Sequence, residues 1–336
     1  MKAMVLTAGF GTRMMPLTAV RSKPSIPFLL APIISHILGF LQKNSVTEAT
    51  LNLHHQPDSV RRVAGAGEPW GLRVNYSFEE EILGTSGGLK KASKNFGPET
   101  FLMVNGDIIP GVDLEGAIRF HREKGALATM LLKPQVESHA RFSDVFVDDG
   151  SRLVCIAGKP EADARGNGVP CFFTGIHVLE PDIFEHIPER TFSDINRDVY
   201  PSLIRAGAPL YGYLTRGSWF EVGSLSRYLE TSFEALKGCR FEHLADFRRS
   251  DGVFVAPGIP WPVPDPAEPP LCIGRGVRIG KRVRLTGGVV LGDGVEIGDD
   301  VQIAHSILWE GAKAGAGSVL RNCIVGDGVV IEPGRV

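Results

Sequence analysis

The chain has 336 residues, 43% hydrophobic and 22% charged, with a formal net charge of −2. That length allows two domains and a large core, and the near-neutral balance gives no basic field for nucleic acid. No run approaches the ~20 apolar residues of a membrane span, and the apolar stretch after Lys2 breaks at Gly9, short of a secretory h-region.

In chain order, residues 2–6 read as a strand that stops at Thr7-Ala8-Gly9-Phe10-Gly11-Thr12-Arg13. Helical patterns follow at 32–44, 58–64, 86–95, 114–124, 195–206 and 224–237, and strand patterns at 49–53, 73–78, 101–104, 127–132, 172–179 and 210–214. Several strands are continuous apolar runs, as strands buried on both faces are. The alternation predicts an α/β fold, a Rossmann-like, mostly parallel sheet with helices on both faces. Such sheets bind ligands beyond the carboxyl ends of their strands, where the Gly9–Arg13 turn falls.

Residues 256–270 hold seven prolines, which makes a stiff, extended connector. Beyond it Ile273, Ile279, Leu285, Leu291, Ile297 and Ile303 recur every six residues, with Val277, Val283, Val289, Val295 and Val301 between them. The phase slips near Trp309 and resumes at Val319, Val325 and Ile331. A hexad repeat with glycine at its corners describes a parallel β-helix of about three to four coils. This part resembles left-handed β-helix domains. The expected division is therefore 1–240, a connector at 241–270, and a left-handed β-helix at 271–336. The open coil end leaves unpaired backbone groups, so a homo-oligomer is expected. Five cysteines without a C-x-x-C pair read as reduced thiols of a cytoplasmic protein.

A strand ending in a glycine-rich turn exposes backbone N–H groups to phosphate oxygens. Arg13 and Lys23, the latter between Ser22 and Pro24, add positive charge at the same mouth. The string from Gly9 through Arg13, Pro16-Leu17-Thr18 and Lys23-Pro24 resembles the signature of the sugar-1-phosphate nucleotidyltransferases (NDP-sugar pyrophosphorylases). Further motifs, in the family's order, extend the resemblance over nearly the whole chain, and a β-helix is a common appendage there.

The resemblance implies roles residue by residue. Ala8, Gly9, Gly11 and Thr12 hold the nucleotide phosphates, and Arg13, Lys23 and Asp107 are catalytic. Asp107 ends the strand Phe101-Leu-Met-Val-Asn-Gly-Asp and holds magnesium; as a terminal acid it otherwise caps a turn. Glu221, in Ser218-Trp-Phe-Glu-Val-Gly-Ser ahead of Tyr228, stands where the family has the second metal-binding Asp, so Mg²⁺ on Asp107 and Glu221 is expected. Glu79-Glu80-Glu81-Ile-Leu-Gly84-Thr85 resembles the segment bordering the nucleobase, assigning Glu81, Gly84 and Thr85 to the nucleotide. Three adjacent acids are otherwise a solvated turn. An inward carboxylate there favours guanine, which offers two edge donors, over uracil or thymine. Lys159, with Asn105 and Gly175, is implied on the sugar-phosphate side.

Departures from the family pattern are Glu221 for Asp, Gly158 for a Glu that binds sugar hydroxyls, Phe142-Ser143 for Tyr-Gly, and Met15 for Arg. The expected partners are an NTP and a sugar 1-phosphate, without nucleic acid or membrane. GTP with mannose 1-phosphate is the first reading. The alternatives are UTP or dTTP with another sugar, or a regulatory paralogue of reduced turnover. His54 and His55 read as packing or capping residues. His305, which breaks the hexads, reads as structural, with an acyl-transfer base as the alternative.

Overall fold

A computed structural model describes residues 1–135, 144–159, 168–260 and 267–336. The chain divides into two units. The first comprises Met1–Gly11, Thr18–Ser25 and Ile33–Trp219, and the second Thr12–Leu17, Ile26–Pro32 and Phe220–Val336.

The first unit is built on a nine-stranded sheet. Its strands in chain order are β1 (Lys2–Leu6), β2 (Glu48–Leu53), β3 (Arg73–Phe78), β4 (Phe101–Asn105), β5 (Ala128–Pro134), β6 (Asp144–Val147), β7 (Leu153–Ile156), β8 (Val169–Leu179) and β9 (Leu210–Leu214). They run in the order β7-β6-β8-β4-β1-β2-β3, with β5 pairing both β8 and β9. Ala3, Met4 and Val5 of β1 are buried, as a central strand covered on both faces requires. The sheet is mixed rather than mostly parallel. Strands β4, β1, β2 and β3 run parallel, as do β5 and β9, but β8 is antiparallel to β4, β5 and β6.

The helices are α1 (Ile33–Lys43), α2 (Pro57–Ala64), α3 (Gly84–Lys91), α4 (Leu114–Glu123), α5 (Tyr200–Arg205) and, in the second unit, α6 (Leu225–Gly238). Asp113 caps α4 through the Gly116 amide, and Pro57 opens α2 at a position whose N–H has no helical partner. The helical pattern at 195–206 is interrupted: Ile195–Val199 forms wide turns before α5 begins. Pro201 lacks the amide that continuous α-turns need there. A short sheet of Ile108–Val112 with Gly217–Glu221 lies outside the expected strands; Pro110-Gly111 hides it from an alternation pattern.

In the second unit, Pro27–Phe28 and Ala31–Pro32 pair across Leu29 and Leu30, both at positive φ. Bulky residues disfavour that conformation. It is held by Phe28 packing against Phe220 and Phe241, and by ring nitrogen Nε2 of His243, which donates to the Leu29 carbonyl at 2.6 Å. The Tyr228 hydroxyl donates to the Pro27 carbonyl and accepts from Trp309 Nε1 at 3.0 Å.

Beyond α6, Arg248–Ser250 and Val253–Val255 form a hairpin across Asp251-Gly252, both at positive φ, as a two-residue type I′ turn requires. Parallel strands then stack through Leu271–Ile273, Arg284–Leu291, Gln302–Leu308 and Val319–Arg321. A second stack joins Arg278–Ile279, Glu296–Ile297, Lys313–Ala314 and Val330–Ile331. The register steps by 18 residues early (Leu271 opposite Val289, Arg278 opposite Glu296) and by 17 later (Glu296 opposite Lys313, Gln302 opposite Val319). The change falls where Thr286 pairs with Ala304 but Val289 with Ser306, so Gly287-Gly288 in one coil stand opposite His305 alone in the next, ahead of the slip expected near Trp309. Val277, Val283, Val289, Val295 and Val301 are buried.

Candidate active site

In the first unit β1 and β4 lie side by side in register, Leu6 opposite Asn105, so the segments that leave them start as neighbours. After β1, Thr7 is anchored: its amide donates to Asn52 Oδ1 at 2.7 Å, and the Ser22 hydroxyl donates to its carbonyl at 3.3 Å. The chain then turns through Gly9-Phe10-Gly11. The Thr18 hydroxyl donates to the Gly11 carbonyl at 2.9 Å. Gly11 has φ +62, and a Cβ there would lie 2.8 Å from Thr18 Cγ2 and 3.3 Å from Lys23 Cβ. The amides of residues 8 to 11 find no acceptor among the described residues. That unsatisfied arc is what an anion-binding turn presents.

Lys23 Nζ reaches Asp107 Oδ2 at 2.7 Å, with the Lys23 side chain 11% exposed and that of Asp107 27%. Gly106 makes this approach possible. Its amide donates to the Leu6 carbonyl at 3.0 Å, and a Cβ on it would sit 2.3 Å from that oxygen and 3.0 Å from Pro24 Cγ. The turn 105–107 is thereby pressed against the end of β1 and the Lys23–Ser25 turn. Asn105 also faces Gly175, which lies at φ +88 in the irregular stretch of β8 between Phe173 and His177. Asp107, Lys23, Gly11, Asn105 and Gly175 thus belong to one neighbourhood.

The acidic triplet divides by burial. Glu80 and Glu81 are exposed, whereas Glu79 is fully buried. The inward carboxylate is already used: Asn52 Nδ2 donates to Oε1 at 2.8 Å and the Leu83 amide to Oε2 at 2.9 Å. Gly88 of α3 packs directly on this pair. The Ser86 and Gly87 amides donate to the Ser193 carbonyl, and Thr85 Oγ1 accepts from the Ile195 amide at 2.8 Å. Asn52 and Glu79 therefore fix the segment carrying Gly84 and Thr85. Sequence reading expected an inward acid in this triplet but assigned Glu81 rather than Glu79, and passed over Asn52, whose signal was a lone Asn inside the apolar strand β2.

His54 Nδ1 donates to the Glu79 carbonyl at 2.9 Å and His55 Nε2 to the Thr18 carbonyl at 2.6 Å. Both rings flank Phe10, at 5.1 and 5.8 Å between centroids, which is the packing expected of them. Lys159 closes a two-residue turn, with reciprocal backbone bonds to Ile156 and with Ala157 and Gly158 at positive φ. No contact among the described residues ties it to Lys23 or Asp107. Phe142 and Ser143 lie outside the described residues.

In the second unit, Thr12–Met14 forms a single 3₁₀ turn on which Arg13 is exposed, beside an exposed Met15. The Glu221 carboxylate lies over Gly223, about 3.0 Å from the position a Cβ there would take. His305 Nδ1 pairs with Asn322 Oδ1 at 2.8 Å and its ring packs on Phe233.

Among the described residues no three His, Cys, Asp or Glu side chains gather as a metal cage. Asp107 Oδ1 has no hydrogen-bond partner among them. A carboxylate with one oxygen neutralised by Lys23 and one open suits a hard cation that keeps waters and substrate phosphates as its other ligands.

The family model described as nucleotidyl transferase matches residues 2–238. The UTP–glucose-1-phosphate uridylyltransferase of a Synechocystis species is 31% identical over 274 residues, 77% of this chain and 68% of that protein. The mannose-1-phosphate guanylyltransferase of Mycobacterium tuberculosis is 30% identical over 266 residues, 76% of this chain and 72% of that one. In fold, the chain is similar to a crystal structure titled a putative glucose-1-phosphate thymidylyltransferase from Bacillus anthracis. The TM-score is 0.60 at 18% identity, covering 71% of this chain and 96% of that one.

Proposed function

The chain belongs to the nucleotidyl transferase family, and from that premise we propose that it joins an NTP to a sugar 1-phosphate, releasing pyrophosphate and an NDP-sugar. The observation that carries this reading is the pairing of unsatisfied amides at residues 8–11 with the adjoining Lys23–Asp107 pair. A sugar-phosphate oxygen attacks the α-phosphorus in line. Its second pKa of about 6 leaves it largely ionised near neutral pH, so no general base is required. Catalysis then consists of bringing two anions together and neutralising the charge that develops.

The turn amides and Arg13 bind the departing pyrophosphate. Lys23 exchanges its hold on Asp107 for the α-phosphoryl oxygens, and Lys159, with Asn105 and Gly175, receives the sugar phosphate. Asp107 and Glu221 are the residues that would hold Mg²⁺, which supplies charge neutralisation across phosphate oxygens. The longer Glu221 changes reach, not charge. We take GTP and mannose 1-phosphate as the first pair to assay. Glu79 is fully buried and each of its oxygens already accepts a hydrogen bond within the protein, so it offers no exposed carboxylate to a base, and UTP and dTTP stand beside GTP.

The 17- and 18-residue parallel steps support a left-handed β-helix over 271–336, at three hexads per coil, joined through 241–270 to a catalytic domain at 1–240. A matrix of NTPs against sugar 1-phosphates with Mg²⁺, read by pyrophosphate release, tests the proposal. One pair turning over well above the rest is expected; no release from any pair would overturn it.

A further inference from the structure

The second unit carries a charged depression of about 680 Å³ that the reaction does not use. Three cations converge on it from separate segments: Lys237 in the last turn of α6, Arg240 just beyond it, and Arg249 on the hairpin strand Arg248–Ser250. A single carboxylate, Asp251, stands among them. Several other surface arginines of this unit are neutralised. Arg275 meets Asp246 at 2.9 Å, Arg278 meets Glu296 at 2.6 Å and Arg282 meets Asp300 at 2.6 Å. Lys237, Arg240 and Arg249 enter no ion pair or hydrogen bond through their side chains among the described residues. Lys237 has a diffuse partner in the negative end of the α6 dipole. Arg240 has none, and Arg249 only the face of Phe254, 5.0 Å away.

The frame around these charges is stiff. Asp251 and Gly252 form the tight hairpin turn, and Pro269-Pro270 packs beside Gly252. Three cations then face one carboxylate around the depression, and an anion bridging them relieves the excess positive charge. The volume suits a small molecule. The Ser250 hydroxyl and the Asp251 carboxylate add partners for ligand hydroxyls.

We propose that this depression binds a small polyanion, a polyol or hydroxy acid bearing at least two phosphate or carboxylate groups. The site is independent of the nucleotidyl-transfer reading, since none of its residues belongs to that machinery.

Isothermal titration of the full chain with 2,3-bisphosphoglycerate and, separately, with citrate tests it and distinguishes phosphate from carboxylate. One molecule per chain is expected for at least one probe, with affinity falling as salt rises. Arg240→Glu with Arg249→Glu is expected to weaken binding by about a hundredfold, on the order of tenfold per charge-assisted contact. Arg249→Lys is expected to keep most of the affinity. Pyrophosphate release without the probe stays within about twofold of wild type in both variants, which reports intact folding. Binding of neither probe, equal binding by wild type and the double Glu variant, or retention of heparin alone would each overturn the proposal.

Discussion

Replacing Asp107 by Asn removes one charge and almost no volume, so it separates the proposed metal role of this residue from its structural role. Lys23 Nζ and Asp107 Oδ2 are 2.7 Å apart in a partly exposed setting. At an effective dielectric of about 20 their gross attraction is about 6 kcal/mol. Desolvation cancels most of that, leaving roughly 1–3 kcal/mol net. The variant should therefore melt a few degrees lower, at about 2–4 °C per kcal/mol. Turnover should fall much further, on the order of 10³-fold, because a preorganised charge at the reacting phosphates is lost. Pyrophosphate release at saturating substrates and several Mg²⁺ concentrations measures it. The Mg²⁺ concentration giving half-maximal rate should rise. Lys23→Ala, alone and combined with Asp107→Asn, completes a double-mutant cycle: the stability losses overlap because one ion pair accounts for both. Turnover of Asp107→Asn within tenfold of wild type, with an unchanged Mg²⁺ midpoint, would refute the reasoning.

Gly106→Ala places a methyl 2.3 Å from the Leu6 carbonyl, so the turn must shift; turnover should drop at least tenfold with the sheet intact by circular dichroism, and an unaffected rate would contradict the close approach. Tyr228→Phe leaves the buried Trp309 indole N–H without its acceptor and should cost about 1–3 kcal/mol in urea unfolding; equal midpoints would argue against that bond. His177 is fully buried, which pushes its imidazole down to about 3. Its folded pKa lies below the unfolded value of about 6.5, so the unfolded chain binds the extra proton between those values, and stability falls as pH drops through that window. The slope is about 1.4 kcal/mol per pH unit. His177→Gln should remove that part of the acid sensitivity, and an unchanged dependence of unfolding on pH between 7 and 4.5 would show another group responsible.

Local pattern alone fixed much of this protein. Apolar runs placed β1, β3 and β9 to the residue, and the hexad repeat located the parallel stacks, although the register changes at His305 rather than near Trp309. Burial writes such periods directly into residue type. The family motifs also pointed to the glycine-rich turn, Lys23 and Asp107, and the structure pairs Lys23 with Asp107. Only the tertiary structure decided which groups are already spoken for. Glu79, Glu80 and Glu81 are identical in type, yet Glu79 alone turns inward, and its partners come from another strand 27 positions earlier and from the turn after it. The antiparallel course of β8, and the choice of Lys23 as the partner of Asp107, likewise depend on contacts between distant segments. A hydrogen bond or ion pair is a property of two positions at once, and one chain read in order carries no distance between them.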